Sequence, residues 1–156
     1  MAGNSRGGRA LLGVLSTASA LFALCPFAAR AEMTVAALSA GVHLIQAEVA
    51  DTAQSRQEGL MFRRKLDRNR GMLFIYPESA RHCMWMRNTY IPLSVAFMDE
   101  SGNILNIDDM QPETENNHCA AKPARYALEM SYGWFKQRGI AAGQRIAGVG
   151  EASAVR

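Results

Sequence analysis

Along the chain, apolar residues fall into short runs broken by turn residues. Residues 42–49 alternate toward their end and are rich in branched side chains, as in a strand. Asp51 or Thr52 is placed to cap a short helix through Glu58, with Gly59 as its stop. Residues 71–76 read as a buried strand ending at Pro77, and 82–87 as another, followed by a loop over 88–92. Residues 93–98 and 104–107 flank Asp99-Glu100-Ser101-Gly102-Asn103, the clearest hairpin signal in the chain. Residues 112–123 are polar and turn-rich, a long loop. A short strand over 126–130, a helix capped by Ser131 and reaching Arg138, and a strand over 145–149 complete the pattern. Many short strands with two small helices predict a mainly β domain, a mostly antiparallel sandwich or flattened barrel.

The first 31 residues do not belong to that pattern. Arg6 and Arg9 precede an apolar, small-residue run over 10–27, Pro26 breaks it, and Ala29-Arg30-Ala31 is a small-x-small cleavage site. These are the marks of a cleaved secretory signal peptide. The run approaches membrane-spanning length, so an uncleaved anchor is the competing reading; the Ser, Thr and Gly within it, the Pro and the cleavage site favour cleavage. Cys25 follows Phe22-Ala23-Leu24 and lacks the small residue that a lipoprotein site needs before its Cys. The expected layout is therefore a signal over 1–31, a flexible lead-in over 32–41 and one β-rich domain over 42–156. The mature chain would be periplasmic or secreted, with no transmembrane segment.

Removing the signal changes the charge balance. Three of the 17 Lys and Arg residues (Arg6, Arg9 and Arg30) precede Glu32, whereas none of the 14 Asp and Glu residues does. Residues 32–156 carry 14 of each sign, so no basic excess points to nucleic acid or an anionic membrane surface.

The densest pattern lies between Gly59 and Leu93. It runs Gly59-Leu60-Met61-Phe62-Arg63, then Gly71-Met72-Leu73-Phe74, then Cys83-Met84-Trp85-Met86-Arg87-Asn88-Thr89, and closes with Ile91-Pro92-Leu93. Polar groups set among bulky apolar ones must find partners or face a ligand. This stretch closely resembles the bacterial and archaeal domain-of-unknown-function family 192, and the likeness extends over about residues 42–149. The resemblance implies a fold and an exported location, but no activity. Arg63, Arg87, Asn88 and Thr89 match positions that the family pattern marks. Many members carry an Asp after the Pro-Leu pair where this chain has Ser94, which puts any role of that carboxylate in doubt here.

Two cysteines, Cys83 and Cys119, remain after the signal. In an oxidising compartment their parity predicts a disulfide, closing a loop of about 36 residues and stabilising by about 4 kcal/mol. His82 and His118 each neighbour a cysteine, but adjacent strand residues point to opposite faces, so neither serves that thiol as a base. The same four residues could form a zinc set only with unusual spacing, and a disulfide removes the thiolates. His82, Met84 and Met86 would share one strand face, a soft ligand set for Cu(I); flexible core filling is the simpler role of the two methionines. Copper is thus the lesser alternative, and no cofactor is expected.

Arg63 offers a forked donor to a carboxylate or phosphate. Glu129, between Leu128 and Met130, is either a buried carboxyl with a raised pKa or an outward residue of an alternating strand, with the outward position preferred. Asp99-Glu100 and Asp108-Asp109 suit solvated hairpin ends. No nucleotide-binding, metalloprotease or serine-nucleophile motif occurs. These residues favour a non-catalytic binding or accessory module of the cell envelope, with a groove near Arg63, Trp85 and Asn88, lined also by Thr89 and Glu129. Its partner would be a small molecule or an envelope protein. The alternatives are an enzyme acting through Arg63 and Glu129, or a Cu(I) protein.

Overall fold

The computed structural model describes residues 1–3 and 33–154. The expected signal and cleavage site, Cys25 included, otherwise lie outside the described residues. The strands are β1 (Val35–Ala40), β2 (His43–Ala50), β3 (Arg70–Ala80), β4 (Cys83–Met84), β5 (Leu93–Met98), β6 (Ile104–Met110), β7 (His118–Cys119), β8 (Ala124–Ser131) and β9 (Ile146–Ala147). The helices are α1 (Ala53–Glu58), α2 (Trp134–Gln137) and α3 (Val149–Ala154). Seven strands form one curled sheet in the order β6-β5-β8-β3-β2-β1-β9, and β4 and β7 form a separate ribbon. The β class and antiparallel character match expectation; β2 and β3 are the parallel pair, joined through α1.

Each face of the sheet has its own core. Leu38, Ile45, Leu73, Ile75, Leu128 and Met130 pack with Trp134, Phe135 and Val149 on the first face. Met72, Phe74, Val95, Phe97 and Ala127 pack with Leu60, Met86 and Ala120 on the second. Because both faces of the central strands are covered, β5 and the first half of β3 read as continuous apolar runs rather than alternations. Gly71 lets two strands approach: a Cβ there would lie 2.4 Å from the Glu129 carbonyl oxygen and from Met130 Sδ.

The local signals explain the ends of elements. Thr52 Oγ1 accepts from the Ser55 amide at 3.0 Å while Ser55 Oγ accepts from the Thr52 amide at 3.0 Å, closing the start of α1. Asp99 Oδ1 accepts from the amides of Ser101 and Asn103, both at 2.9 Å, fixing the β5–β6 turn.

Several expected boundaries move. The segment expected as a flexible lead-in contains β1, which buries Leu38 and Ala40 against β2; its alanines gave no strand signal. The strand expected over 82–87 stops at Met84, because the Met86 amide donates out of the ribbon to Thr114 and Asn88 turns left-handed at φ 57°. The expected loop over 112–123 contains β7. Ser131 ends β8 and α2 begins after Gly133, so the helix expected to reach Arg138 is shorter than expected. The strand over 145–149 is only β9; Gly148, at φ 92°, turns the chain and Val149 opens α3. β3 continues past Pro77 to Ala80, across a register shift against β8.

Cys83 and Cys119 are direct register partners in the antiparallel ribbon, with Cα atoms 4.0 Å apart and the sulfurs bonded. The antiparallel sense puts His82 opposite Ala120, whose amide donates to the His82 carbonyl at 2.9 Å. Asn106 of β6 pins the other end of this segment, donating to Cys119 O at 3.1 Å and accepting from the Ala121 amide at 2.8 Å.

Gly71→Ala tests the close strand approach. Its Cβ meets backbone, which cannot rotate away, so the expected loss is about 2 kcal/mol or more. A urea unfolding midpoint indistinguishable from wild type would remove this constraint.

Candidate functional site

A cleft of about 230 Å³ opens on the second face of the sheet. Phe74 and Tyr76 of β3 and Glu129 of β8 contribute to its lining; residues 56–61, Cys83, Met84, Trp85 and Thr89 complete it.

Glu129 is the unusual member. It stands on a central strand between Met72 and Val95 and is 4 % exposed, so the preferred outward position is corrected. Alternation does bring it to one face, but that face is roofed by the chain over 81–92. Its carboxyl makes no hydrogen bond or ion pair among the described residues. Every side-chain polar atom sealed from solvent there does have a partner, so the Glu129 oxygens must open into the cleft. Loss of hydration raises its pKa to about 8.

The groups around it are held by local bonds. Tyr76 Oη donates to Met84 Sδ at 3.5 Å, and the His82 ring stacks flat on the Tyr76 ring at 3.6 Å. Burial, and then the nearby Glu129 carboxyl, push the Tyr76 phenol pKa upward. Arg56 donates to the carbonyls of Asp51 and Ile75 at 2.5 and 2.9 Å, which ties α1 to β3. Thr89 is buried, with its hydroxyl 3.4 Å from the Arg87 carbonyl. Trp85 is 41 % exposed and carries the Arg87 guanidinium 4.2 Å above its ring.

Beside the cleft the backbone is strained. Phe62 has φ 64°, a region that bulky side chains avoid, and its ring is 58 % exposed. Its amide donates to the Asn88 carbonyl at 2.8 Å, so the two left-handed residues hold one another. Phe62 packs edge-on against Tyr90, itself under the Arg64 guanidinium.

Of the residues expected in the groove, Trp85, Thr89 and Glu129 do line one cleft. Asn88 is exposed and outside the lining, with its side-chain amide 4.0 Å from Met61 Sδ. Arg63 is not in the lining; it forks onto Glu48 of β2 at 2.7 and 2.5 Å, and that hydrogen bonding raises its pKa. His82 and Met84 both touch Tyr76, but Met86 is fully buried in the core, because the strand that would have aligned all three ends at Met84. Among the described residues no three His, Cys, Asp or Glu side chains cluster as a metal site. Ser94 lies on the first face, away from the cleft. Its hydroxyl donates to Asp109 and accepts from the Gly133 amide at 2.8 Å. Sequence reading missed Tyr76, Phe62 and Met61, although Phe62 lies within three residues of the helix-ending Gly59.

Comparison with known proteins agrees with the fold. The chain matches DUF192, a family described as "Uncharacterized ACR", over residues 35–148, and it belongs to that family. A crystal structure from Sinorhizobium meliloti, of a protein provisionally called a transcription regulator, is 31% identical with a TM-score of 0.73. The match covers 78% of this chain and 98% of that one. A Novosphingobium aromaticivorans protein of unknown function is 30% identical with a TM-score of 0.68, over 73% of this chain and 84% of that one. No curated protein matches. The structural relatives share the β-rich fold, and among the described residues no helix is long and apolar enough to cross a membrane.

Because the folded pKa of Glu129 lies above its ordinary value of 4.5, the folded protein holds the proton more tightly than the unfolded chain. The associated stability is complete below pH 4.5, falls as pH rises, and is gone above about pH 8. Glu129→Gln should flatten that slope in denaturant titrations across the range; an unchanged slope would locate the titration elsewhere. Phe62→Asn places a residue that tolerates positive φ, so stability should hold or rise, by up to about 1 kcal/mol. A fall in melting midpoint would show that the Phe62–Tyr90 contact outweighs the strain.

Proposed function

We propose that this domain is a non-catalytic binding module of the cell envelope, exported by the segment over 1–31, whose cleft takes a small molecule. The ligand would present a hydrogen-bond donor, such as an amine or amide, to Glu129 and lay an apolar body against Trp85, Phe74 and Met61. The observation that carries this reading is the Glu129 carboxyl, buried on a central strand without a partner and open to a cleft of about 230 Å³. A buried polar group is costly unless something completes its hydrogen bonding. At neutral pH the group is mostly protonated, so it both donates and accepts; a cationic ligand would drive off its proton.

Binding is preferred to an enzyme using Arg63 and Glu129 because Arg63 is committed to Glu48 and does not line the cleft. The transcription-regulator role in the name of the S. meliloti protein has little support in this chain if it is exercised by binding DNA. Charge is balanced over 32–156, and the described helices span six residues or fewer, short for a recognition helix.

Native mass spectrometry of protein purified from the periplasm tests the reading. The wild-type protein should retain a small-molecule adduct, Glu129→Gln should hold it about tenfold more weakly, and Glu129→Leu should lose it. Retention in the leucine variant, or a wild-type protein that carries nothing and shows no thermal shift with any of a panel of amines and amides, would defeat the proposal.

A further inference from the structure

We propose that a second site, independent of the Glu129 cleft, binds a small oxyanion carrying carboxylate or phosphate groups. It is a cavity of about 430 Å³ between the β1–β2 turn, the end of α2 and the approach to β9. Its polar lining includes Arg138, Arg145, His43 and Gln144, and no carboxylate is among the residues that line it.

The two guanidinium groups are held from behind by neutral partners. Arg138 lies 4.2 Å over the Trp134 ring and donates to the Trp134 carbonyl at 3.2 Å and to Asn69 Oδ1 at 3.3 Å. Arg145 donates through Nε to the Ser101 carbonyl at 2.8 Å, and its terminal amino groups have no partner among the described residues. His43 meets the edge of the same indole, with centroids 6.2 Å apart. Trp134, buried at 2 % exposure, is therefore a rigid base for two of the three groups. Partial burial, and then the positive charge of Arg68, hold the Arg138 pKa below its ordinary value. Arg138 and Arg145 bring positive charge to a lining that holds no carboxylate, although Arg145 also lines a neighbouring pocket with Glu100 and Glu151, and an anion in the cavity supplies the balance on this side. A guanidinium fork matches the paired oxygens of carboxylate and phosphate, whereas Val42 and Ile140 leave room for a short apolar body.

The test uses inorganic phosphate and succinate as probes, added to protein purified after expression of the full chain. Amide resonances of Gly41 and Gly139 are followed by two-dimensional NMR. Saturating shifts with at least one probe are expected, the responsive probe assigning phosphate or dicarboxylate. Arg145→Gln, which gives up only one carbonyl contact within the fold, should weaken binding about tenfold, the effect of one charge-assisted hydrogen bond. Lys122→Gln, which removes the same charge from a residue outside the cavity lining, should leave binding unchanged. No saturable shift at millimolar probe, affinity unaltered by Arg145→Gln, or equal weakening by Lys122→Gln would each overturn the site.

Discussion

Met72, Phe74, Val95, Phe97 and Ala127 present an apolar sheet face on the side opposite Trp134 and Phe135. Connecting segments and a two-residue ribbon must cover that face, and such a cover carries backbone groups that need partners. The Cys83–Cys119 bond, the Asn106 amide and the Arg81 guanidinium, which donates to the Ala120 carbonyl at 3.0 Å, supply the attachments. A disulfide helps most where the segment it fixes has little apolar surface of its own. Residues 112–123 are such a segment. The cleft is where this irregular cover does not close.

At that gap the sheet carries Glu129, a carboxyl buried on a central strand, and next to the lining residue Met61 stands Phe62 in a conformation that bulky residues avoid. Burial without a partner and a left-handed bulky residue both cost stability, and neither improves packing of the core. Features of this kind persist where something other than stability depends on them. Their occurrence together beside an exposed tryptophan is stronger support for a ligand site than either alone.

The sequence made some of this legible and hid the rest for identifiable reasons. Turn and cap residues act locally, so Asp99, Gly102, Thr52 and Gly59 announced their hairpin and helix ends. Thr89 and Glu129, two of the three buried polar residues of the described chain, stood out as polar residues among apolar ones, whereas the third, Ser94, drew notice only against the family pattern. Whether Glu129 faced solvent could not be read locally, because the other residues that line its cleft are 40 or more positions away in sequence. Arg63 misled for a related reason: Glu48, its partner across 15 residues, sits on a strand whose parallel pairing leaves no short-range signal. β1 was missed because alanine is a weak strand former and gains its place only from pairing with β2.

Ser94 shows how a polar side chain is accommodated inside the first core. The serine sits wholly buried on the first face, directly across from Asp109 of β6. Its hydroxyl accepts from the Gly133 amide at the turn into α2 and donates to Asp109, so a carboxylate still stands at this point, one strand over. A hydroxyl can do both because it is donor and acceptor at once, whereas an ionised carboxylate only accepts. An Asp at position 94 facing Asp109 would bring two negative charges together, one of them in a buried position. The serine therefore fits the acidic partner that this chain has on β6. Since residue 94 faces away from Glu129, a change there would leave the cleft on the other face untouched.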